Sequence, residues 1–274
     1  MKYIPKILII EDSSAVRSAI IRSFRVVQID FIEIDNGDDA MDFFDQSDSP
    51  QVESLDLIIT DIQIPGANGL EVLREKNALK NYMPYIPVLI ITGLLNNEIF
   101  AETCKQNIVD VLLKPFTAKD LRGKCFSIIN ALLNTDIDSS KNSMVICNSN
   151  FQREYFSKML VKLGSKKVDL FDQINSGWEN ILFSLENPYD LVICDWQLGT
   201  GTCIDLISKL RRRSDFTNIP VCVMMSSFDQ QKLNQLMSFP LVSVIYKNLD
   251  KDDLAFKIKY LFYLKDWYTK NAFS

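Results

Sequence analysis

One apolar segment that ends in a carboxylate occurs twice in the chain, and it constrains the fold more than any other feature. It reads DLIITD where it ends at Asp61 and DLVICD where it ends at Asp195. These two residues are 195 − 61 = 134 positions apart, and two later lysines, Lys114 and Lys247, are 247 − 114 = 133 apart. Near-constant offsets over the length of a domain indicate two copies of one fold in tandem.

Within each copy, apolar runs of strand length alternate with helical patterns. In the first copy the predicted strands are 6–10, 31–34, 57–60, 88–91 and 108–113. The predicted helices are 14–27, 38–46, 69–79, 95–106 and a last one that Asp120 opens. Regular alternation of this kind predicts an α/β fold, with a doubly wound, five-stranded parallel sheet in each copy.

The domain boundaries follow from a polar segment between the two copies. We predict a first domain over 1–133, a linker over 134–143 and a second domain over 144–274. In the second copy, residues 144–147 match 7–10, Ser149 caps the next helix, and Gly164 closes it. No apolar run reaches the roughly 20 residues that a membrane-spanning helix needs.

The composition excludes several kinds of chemistry. The chain has no histidine, so histidine general-base catalysis, Ser-His or Cys-His nucleophiles and His-ligated zinc are ruled out. Six cysteines without a CxxC pair are typical of buried thiols in a reducing cytoplasm. Residues 1–130 hold 13 Lys and Arg against 19 Asp and Glu, a balance of 13 − 19 = −6, which argues against nucleic-acid binding there.

Polar side chains follow four of the predicted strands of the first copy, where each strand ends. They are Glu11, Asp12, Asp61, Thr92 and Lys114. The carboxyl ends of parallel strands meet at one edge of the sheet, where ligands bind. Clustered carboxylates repel one another unless a cation joins them, and an all-oxygen ligand set suits Mg²⁺. The set indicates phosphoryl transfer, with Asp61 as the nucleophile.

On these motifs the first copy resembles the response-regulator receiver family of two-component signalling. The family signature is an acidic pair after strand one, an acceptor Asp followed by x-x-Met/Ile-Pro-x-x-x-Gly, a Thr or Ser after strand four, and Lys-Pro after strand five. The matching positions are Glu11-Asp12, Asp61 with Ile64-Pro65 and Gly69, Thr92-Gly93, and Lys114-Pro115-Phe116.

The resemblance implies a flavodoxin-like fold and a role for each residue. Asp61 is expected to be phosphorylated and, with Glu11, Asp12 and the Gln63 carbonyl, to hold Mg²⁺. Thr92 is expected to bind the phosphoryl group and Lys114 to pair with it. The implied partners are a sensor histidine kinase or phosphotransfer protein, a downstream protein target and, in a homodimer, a second copy of the chain. A cytoplasmic signalling protein is expected, not an enzyme, with no nucleic-acid or membrane partner.

The two copies depart from the family pattern to different degrees. In the first, Val111 stands where the family usually has an aromatic residue. In the second, Asp195 and Lys247 remain, but Asn148-Ser149 replaces the acidic pair. Met225 stands at the Thr position if no gap is allowed, with Ser226 one residue later. Cys203 stands at the loop Gly, with Gly199 and Gly201 nearby, and Asn248 follows the lysine. We predict a degenerate receiver that binds Mg²⁺ weakly or not at all and acts in docking or dimerisation. The alternative is that Asp195 is still phosphorylated.

Two alternatives stay open at this point. A phosphatase of the haloacid dehalogenase type also uses a nucleophilic Asp after a parallel strand, with Mg²⁺, but it needs a second Asp where Gln63 stands. The chain is also similar to the front of certain diguanylate cyclases, so it could be an N-terminal regulatory fragment of such a regulator.

Overall fold

The computed structural model describes residues 3–46, 50–78, 85–93, 108–134, 140–199, 201–226, 229–246 and 250–271. The chain divides into two compact units, Met1–Leu132 and Leu133–Ser274. None of the described helices is both long enough and apolar enough to cross a lipid bilayer.

The first unit contains a five-stranded sheet in the order β2-β1-β3-β4-β5, with every neighbouring pair parallel. The strands are β1 Lys6–Ile10, β2 Asp30–Ile34, β3 Leu57–Thr60, β4 Val88–Thr92 and β5 Ile108–Leu113. The helices among the described residues are α1 Ser14–Ser23, α2 Gly37–Asp45, α3 Pro50–Glu53, α4 Gly69–Ala78 and α5 Ala118–Leu133. The order reverses between β1 and β3, which creates a crevice at the carboxyl ends of these strands.

The second unit repeats this sheet in the order β7-β6-β8-β11-β12, again all parallel. Its strands are β6 Asn142–Ile146, β7 Lys167–Phe171, β8 Leu191–Asp195, β11 Val221–Met225 and β12 Val242–Tyr246, with a small hairpin of β9 Gln197–Leu198 and β10 Gly201–Thr202. Its helices are α6 Asn150–Lys162, α7 Ile174–Phe183, α8 Cys203–Arg211, α9 Gln230–Met237 and α10 Lys251–Lys270. The predicted pair of doubly wound parallel sheets is confirmed.

The local sequence signals predicted the positions of the helices more accurately than the residues at which they end. The Ser13 hydroxyl accepts a hydrogen bond from the Val16 amide and caps α1, and the Ser149 hydroxyl does the same for Gln152 in α6. Helix α1 ends at Ser23, although the apolar pattern predicted it to residue 27. The predicted helix over 95–106 lies outside the described residues. Strand β6 begins at Asn142, inside the segment predicted to be a linker.

The strand registers show which residues of the two units correspond, and they correct one alignment made from the sequence. Ile10 pairs with Thr60 in the first sheet, and Ile146 pairs with Cys194 in the second. Residues 142–146 therefore correspond to 6–10, one position earlier than predicted. The residues after these strands are Glu11-Asp12 and Cys147-Asn148, so the predicted replacement of the acidic pair by Asn148-Ser149 is wrong.

A glycine sets the path of the chain after β3. Gly66 has a φ of 73°, in the left-handed region that favours glycine. Gly69 has another reason to be glycine, because a Cβ there would lie 2.1 Å from the carbonyl oxygen of Asp61. Cys203 stands at the corresponding place in the second unit, where the chain after β8 forms the β9–β10 hairpin instead.

Candidate functional site

Three of the side chains predicted for the first site meet at the carboxyl edge of the first sheet. The ammonium nitrogen of Lys114 lies 2.6 Å from Glu11 Oε2 and 2.6 Å from Asp61 Oδ2. These residues follow β1, β3 and β5, so the parallel topology alone brings them together across 103 positions of sequence. Glu11 is 2% and Asp61 7% exposed, which places both carboxylates below the surface.

The backbone holds the Asp61 carboxylate in one orientation. Its Oδ1 accepts hydrogen bonds from the amides of Ile62 at 2.6 Å and Gln63 at 3.2 Å, while Oδ2 faces Lys114. The chain can turn back over Asp61 because Gly69 has no side chain, and the Gly69 amide donates to the Ile62 carbonyl at 3.0 Å. The Asp61 carboxylate is therefore held in one orientation by the chain itself.

Burial and neighbouring charges shift the pKa of two groups in this pocket. Burial raises the pKa of the Glu11 carboxyl, and the Asp61 charge adds to the rise, while the hydrogen bond and charge of Lys114 oppose it. For Lys114, burial lowers the pKa, but the hydrogen bonds and charges of Asp61 and Glu11 outweigh it, so its pKa is raised. The lysine stays protonated and stabilises two nearby carboxylates.

The other predicted residues take different positions. The Asp12 side chain is exposed, and its carbonyl accepts a hydrogen bond from Arg17. Thr92 is fully buried at the end of β4, and its carbonyl accepts a hydrogen bond from the Lys114 amide at 2.9 Å. Among the described residues, no three acidic or cysteine side chains are grouped closely enough to hold a metal ion as they stand.

The oxygens of the pocket nevertheless fit a hard divalent cation. Glu11 Oε1 is buried and has no hydrogen-bond partner among the described residues. A buried carboxylate oxygen without a partner is costly, and a bound cation would remove that cost. The exposed Asp12 carboxylate is the next residue in the chain, and the Asp61 carboxylate lies across the pocket, so the donors are oxygens only, as Mg²⁺ prefers.

The second unit has a buried carboxylate at the position of Asp61 but surrounds it differently. Asp195 is 6% exposed at the end of β8, which matches the burial of Asp61. The Cys147 thiol lies 2.7 Å from Asp195 Oδ2 and 3.1 Å from the side-chain carbonyl oxygen of Gln152. The Trp196 amide donates to the Met224 carbonyl at 3.1 Å, whereas the corresponding Ile62 amide donates to the acceptor carboxylate.

The remaining positions of the second site also differ from the first. The Asn148 amide donates to the carbonyl oxygen of Gln197, the counterpart of Gln63, at 3.4 Å. The pairing of Met225 with Tyr246 matches that of Thr92 with Leu113, so Met225 does stand at the Thr position. By the same register Lys247 corresponds to Lys114, but Lys247 and Asn248 lie outside the described residues.

Sequence reasoning missed the role of Cys147, although a signal for it was present. A serine and an arginine four residues later occur in both units, as Ser13 with Arg17 and Ser149 with Arg153. Both arginines donate to the carbonyl of the residue corresponding to Glu11: Arg17 to Glu11 itself and Arg153 to Cys147. Their offset of 153 − 17 = 136 gives the alignment that the apolar runs did not.

Comparisons with known proteins agree with this arrangement. A family model for the response regulator receiver domain matches twice, over residues 7–125 and 144–259. The chemotaxis protein CheY-3 of Vibrio cholerae is 29% identical over 128 residues, which cover 46% of this chain and 93% of that protein. The response regulator protein FleR of Pseudomonas aeruginosa is 28% identical over 116 residues, 42% of this chain but only 23% of FleR.

Two further matches are a longer enzyme and a solved structure. A cyclic di-GMP phosphodiesterase of Thermotoga maritima is 28% identical over 137 residues, which cover 50% of this chain and 33% of that enzyme. A crystal structure described as a two-component system response regulator/GGDEF domain protein aligns with 96% of this chain and 99% of its own, at 16% identity and a TM-score of 0.43.

Proposed function

We propose that the first domain accepts a phosphoryl group on Asp61 in two-component signalling. The chain belongs to the response regulator receiver domain family and matches its model in both units. The observation that carries the proposal is the contact of one lysine with two buried carboxylates. Lys114 lies 2.6 Å from both Asp61 and Glu11, and the second oxygen of Glu11 has no partner among the described residues.

In the proposed reaction, an oxygen of the Asp61 carboxylate forms a bond to phosphorus as the bond from phosphorus to the donor breaks. The chain has no histidine, so the donor is a phosphohistidine of a sensor kinase or phosphotransfer protein, or a small acyl phosphate. The Ile62 and Gln63 amides keep the carboxylate oriented, and Lys114 offsets negative charge beside it.

Glu11, Asp12, Asp61 and the Gln63 carbonyl would hold Mg²⁺, which when bound neutralises charge on the phosphoryl oxygens. Thr92 is the proposed contact for the phosphoryl group, because it ends β4 beside the strand that leads to Lys114. Val111, buried in β5, takes the place of the usual aromatic residue, so the change on phosphorylation would pass through Thr92 and the chain that follows it.

The second domain is proposed to act as a docking or dimerisation partner, not as an acceptor. At the positions of Glu11 and Asp12, the second domain has the Cys147 thiol, which lies against Asp195, and the Asn148 amide, which donates to the Gln197 carbonyl. We therefore propose that the chain transmits a signal through protein contacts and does not turn over a substrate.

The test is incubation of the full chain with acetyl phosphate and Mg²⁺, followed by intact-mass and peptide mass spectrometry. The wild type and Asp195→Asn proteins should each gain one phosphoryl group on Asp61, and Asp61→Asn should gain none. A phosphoryl group on the Asp61→Asn protein, or none on the wild type, would contradict the assignment. Steady hydrolysis of a phosphate monoester would favour the phosphatase alternative.

A further inference from the structure

Two hydrogen-bond donors in the second site stand where the first site has two carboxylates. Cys147 follows β6 as Glu11 follows β1, and Asn148 follows as Asp12 does. Glu11 and Asp12 carry only acceptor oxygens when ionised, whereas a thiol and an amide NH₂ can donate. The substitution therefore reverses the hydrogen-bonding character of this edge of the pocket.

Each of these donors reaches a specific oxygen. The Cys147 thiol lies 2.7 Å from Oδ2 of Asp195, the counterpart of Asp61. The Asn148 amide lies 3.4 Å from the carbonyl oxygen of Gln197, the counterpart of Gln63. In the first site, the oxygens of Asp61 and Gln63 are the ones proposed to hold Mg²⁺. In the second site, the corresponding Asp195 Oδ2 and Gln197 carbonyl face the donors Cys147 and Asn148, whereas the ionised Glu11 and Asp12 side chains at those positions of the first site cannot donate.

From these contacts we infer that Cys147 and Asn148 hold the second site in a metal-independent state, in which two hydrogen-bond donors replace Mg²⁺. A protonated thiol and an amide nitrogen are poor ligands for a hard cation, so Mg²⁺ entering here would lose two ligands and would have to break two hydrogen bonds. This inference deepens the proposed function and rests on its assignment of the ligand positions in the first site.

The test restores the two carboxylates with Cys147→Glu and Asn148→Asp together, in an Asp61→Asn background that removes the first acceptor. Trp196 is next to Asp195 and is half-buried, so its fluorescence reports on the pocket. The Asp61→Asn parent should show no saturable change with Mg²⁺. The double variant should show one, half-saturated at a Mg²⁺ concentration about tenfold or more below the highest one at which the parent shows no change.

Matched variants separate ligand chemistry from a change in volume. Cys147→Ser with Asn148→Gln retains both donors and should behave as the parent does. Trp196→Phe in the restored protein should abolish the fluorescence change without abolishing Mg²⁺-dependent thermal stabilisation. A buried glutamate beside Asp195 should lower the Tm in EDTA, and Mg²⁺ should raise it again.

The outcomes divide clearly. A saturable Mg²⁺ response in the Asp61→Asn parent, or phosphate on its Asp195, overturns the inference. If the double variant does not fold in either buffer, Asn148→Asp alone decides, because Asn148 is exposed and the substitution should be tolerated. The inference is also overturned if the folded double variant, or Asn148→Asp where it takes the place of the double variant, gains no Mg²⁺ response. Failure of Asp61 to accept phosphate in the Asp195→Asn protein would refute the proposed function. The Mg²⁺ titrations of the second site could still be interpreted.

Discussion

The two sites share a scaffold and differ in what surrounds an equally placed carboxylate. Asp61 and Asp195 both lie at the carboxyl end of the third strand of their domain and are 7% and 6% exposed. Around Asp61 the neighbours are a lysine and a second carboxylate with an unpartnered oxygen, whereas a thiol engages Asp195. The comparison teaches that strand topology places a buried carboxylate at the same point of both sheets, while the residue after the first strand of each sheet sets which groups contact it.

A second difference lies inside the sheets, away from both sites. In β5, the buried carboxylate of Asp110 is paired with the Lys124 ammonium from α5. The registers align Asp110 with Ser243 in β12, whose hydroxyl is buried without a partner among the described residues. Lys257 in α10 instead donates to the Val244 carbonyl at 2.8 Å. The first sheet thus depends on an ion pair where the second uses a backbone acceptor.

The largest effect is expected from Lys114→Met. It removes the charge that joins Asp61 to Glu11, and phosphate incorporation from acetyl phosphate should fall about 100-fold or more, as loss of one electrostatic contact at a reacting group typically does. The exposed Lys167→Met change in the second unit is the matched control and should leave the rate unchanged. An unaltered rate in Lys114→Met would contradict the proposed part of Lys114 in phosphorylation of Asp61.

An intermediate effect is expected from Asp110→Ala. It leaves the Lys124 ammonium largely buried without its counter-ion, which should cost the first domain about 3 kcal/mol in the free energy of unfolding. Ser243→Ala removes only a hydroxyl with no described partner and should be near neutral or slightly stabilising. Urea unfolding can follow the domains separately, because all tryptophans lie in the second one: Trp178, Trp196 and Trp267. Equal losses in the free energy of unfolding for Asp110→Ala and Ser243→Ala would contradict this difference between the two sheets.

The smallest effect is a pH dependence of the metal-free first domain. Burial, with the Asp61 charge, raises the pKa of Glu11 in the folded state, so folding favours its protonated form. This contribution is fully present below the ordinary glutamate pKa of about 4.3 and is lost as pH rises through the raised value. In EDTA, the urea midpoint of the first domain by circular dichroism should rise as pH falls from neutral towards 5. Glu11→Gln should flatten that slope, and an equal slope in the variant would exclude Glu11 as its source.

Local patterns predicted most elements of the fold because each has its own chemical signal. Ser13 and Ser149 mark helix starts, Gly164 closes α6 with a φ of 101°, and the apolar runs mark the buried strands. The β9–β10 hairpin was not predicted, since its strands are only two residues long. The alignment of β6 with β1 was off by one, because an apolar run contains no marker of register.

The sequence by itself determined that there are two parallel α/β domains, and it identified Asp61, Glu11 and Lys114 as residues that strand ends bring together. Strand periodicity and parallel topology are properties of the local pattern, so they can be read without coordinates. Only the tertiary structure decided that one lysine contacts both carboxylates, that Glu11 keeps an oxygen without a described partner, and that Cys147 faces Asp195. Those contacts depend on strand register and side-chain direction, which are set by packing between segments far apart in the chain.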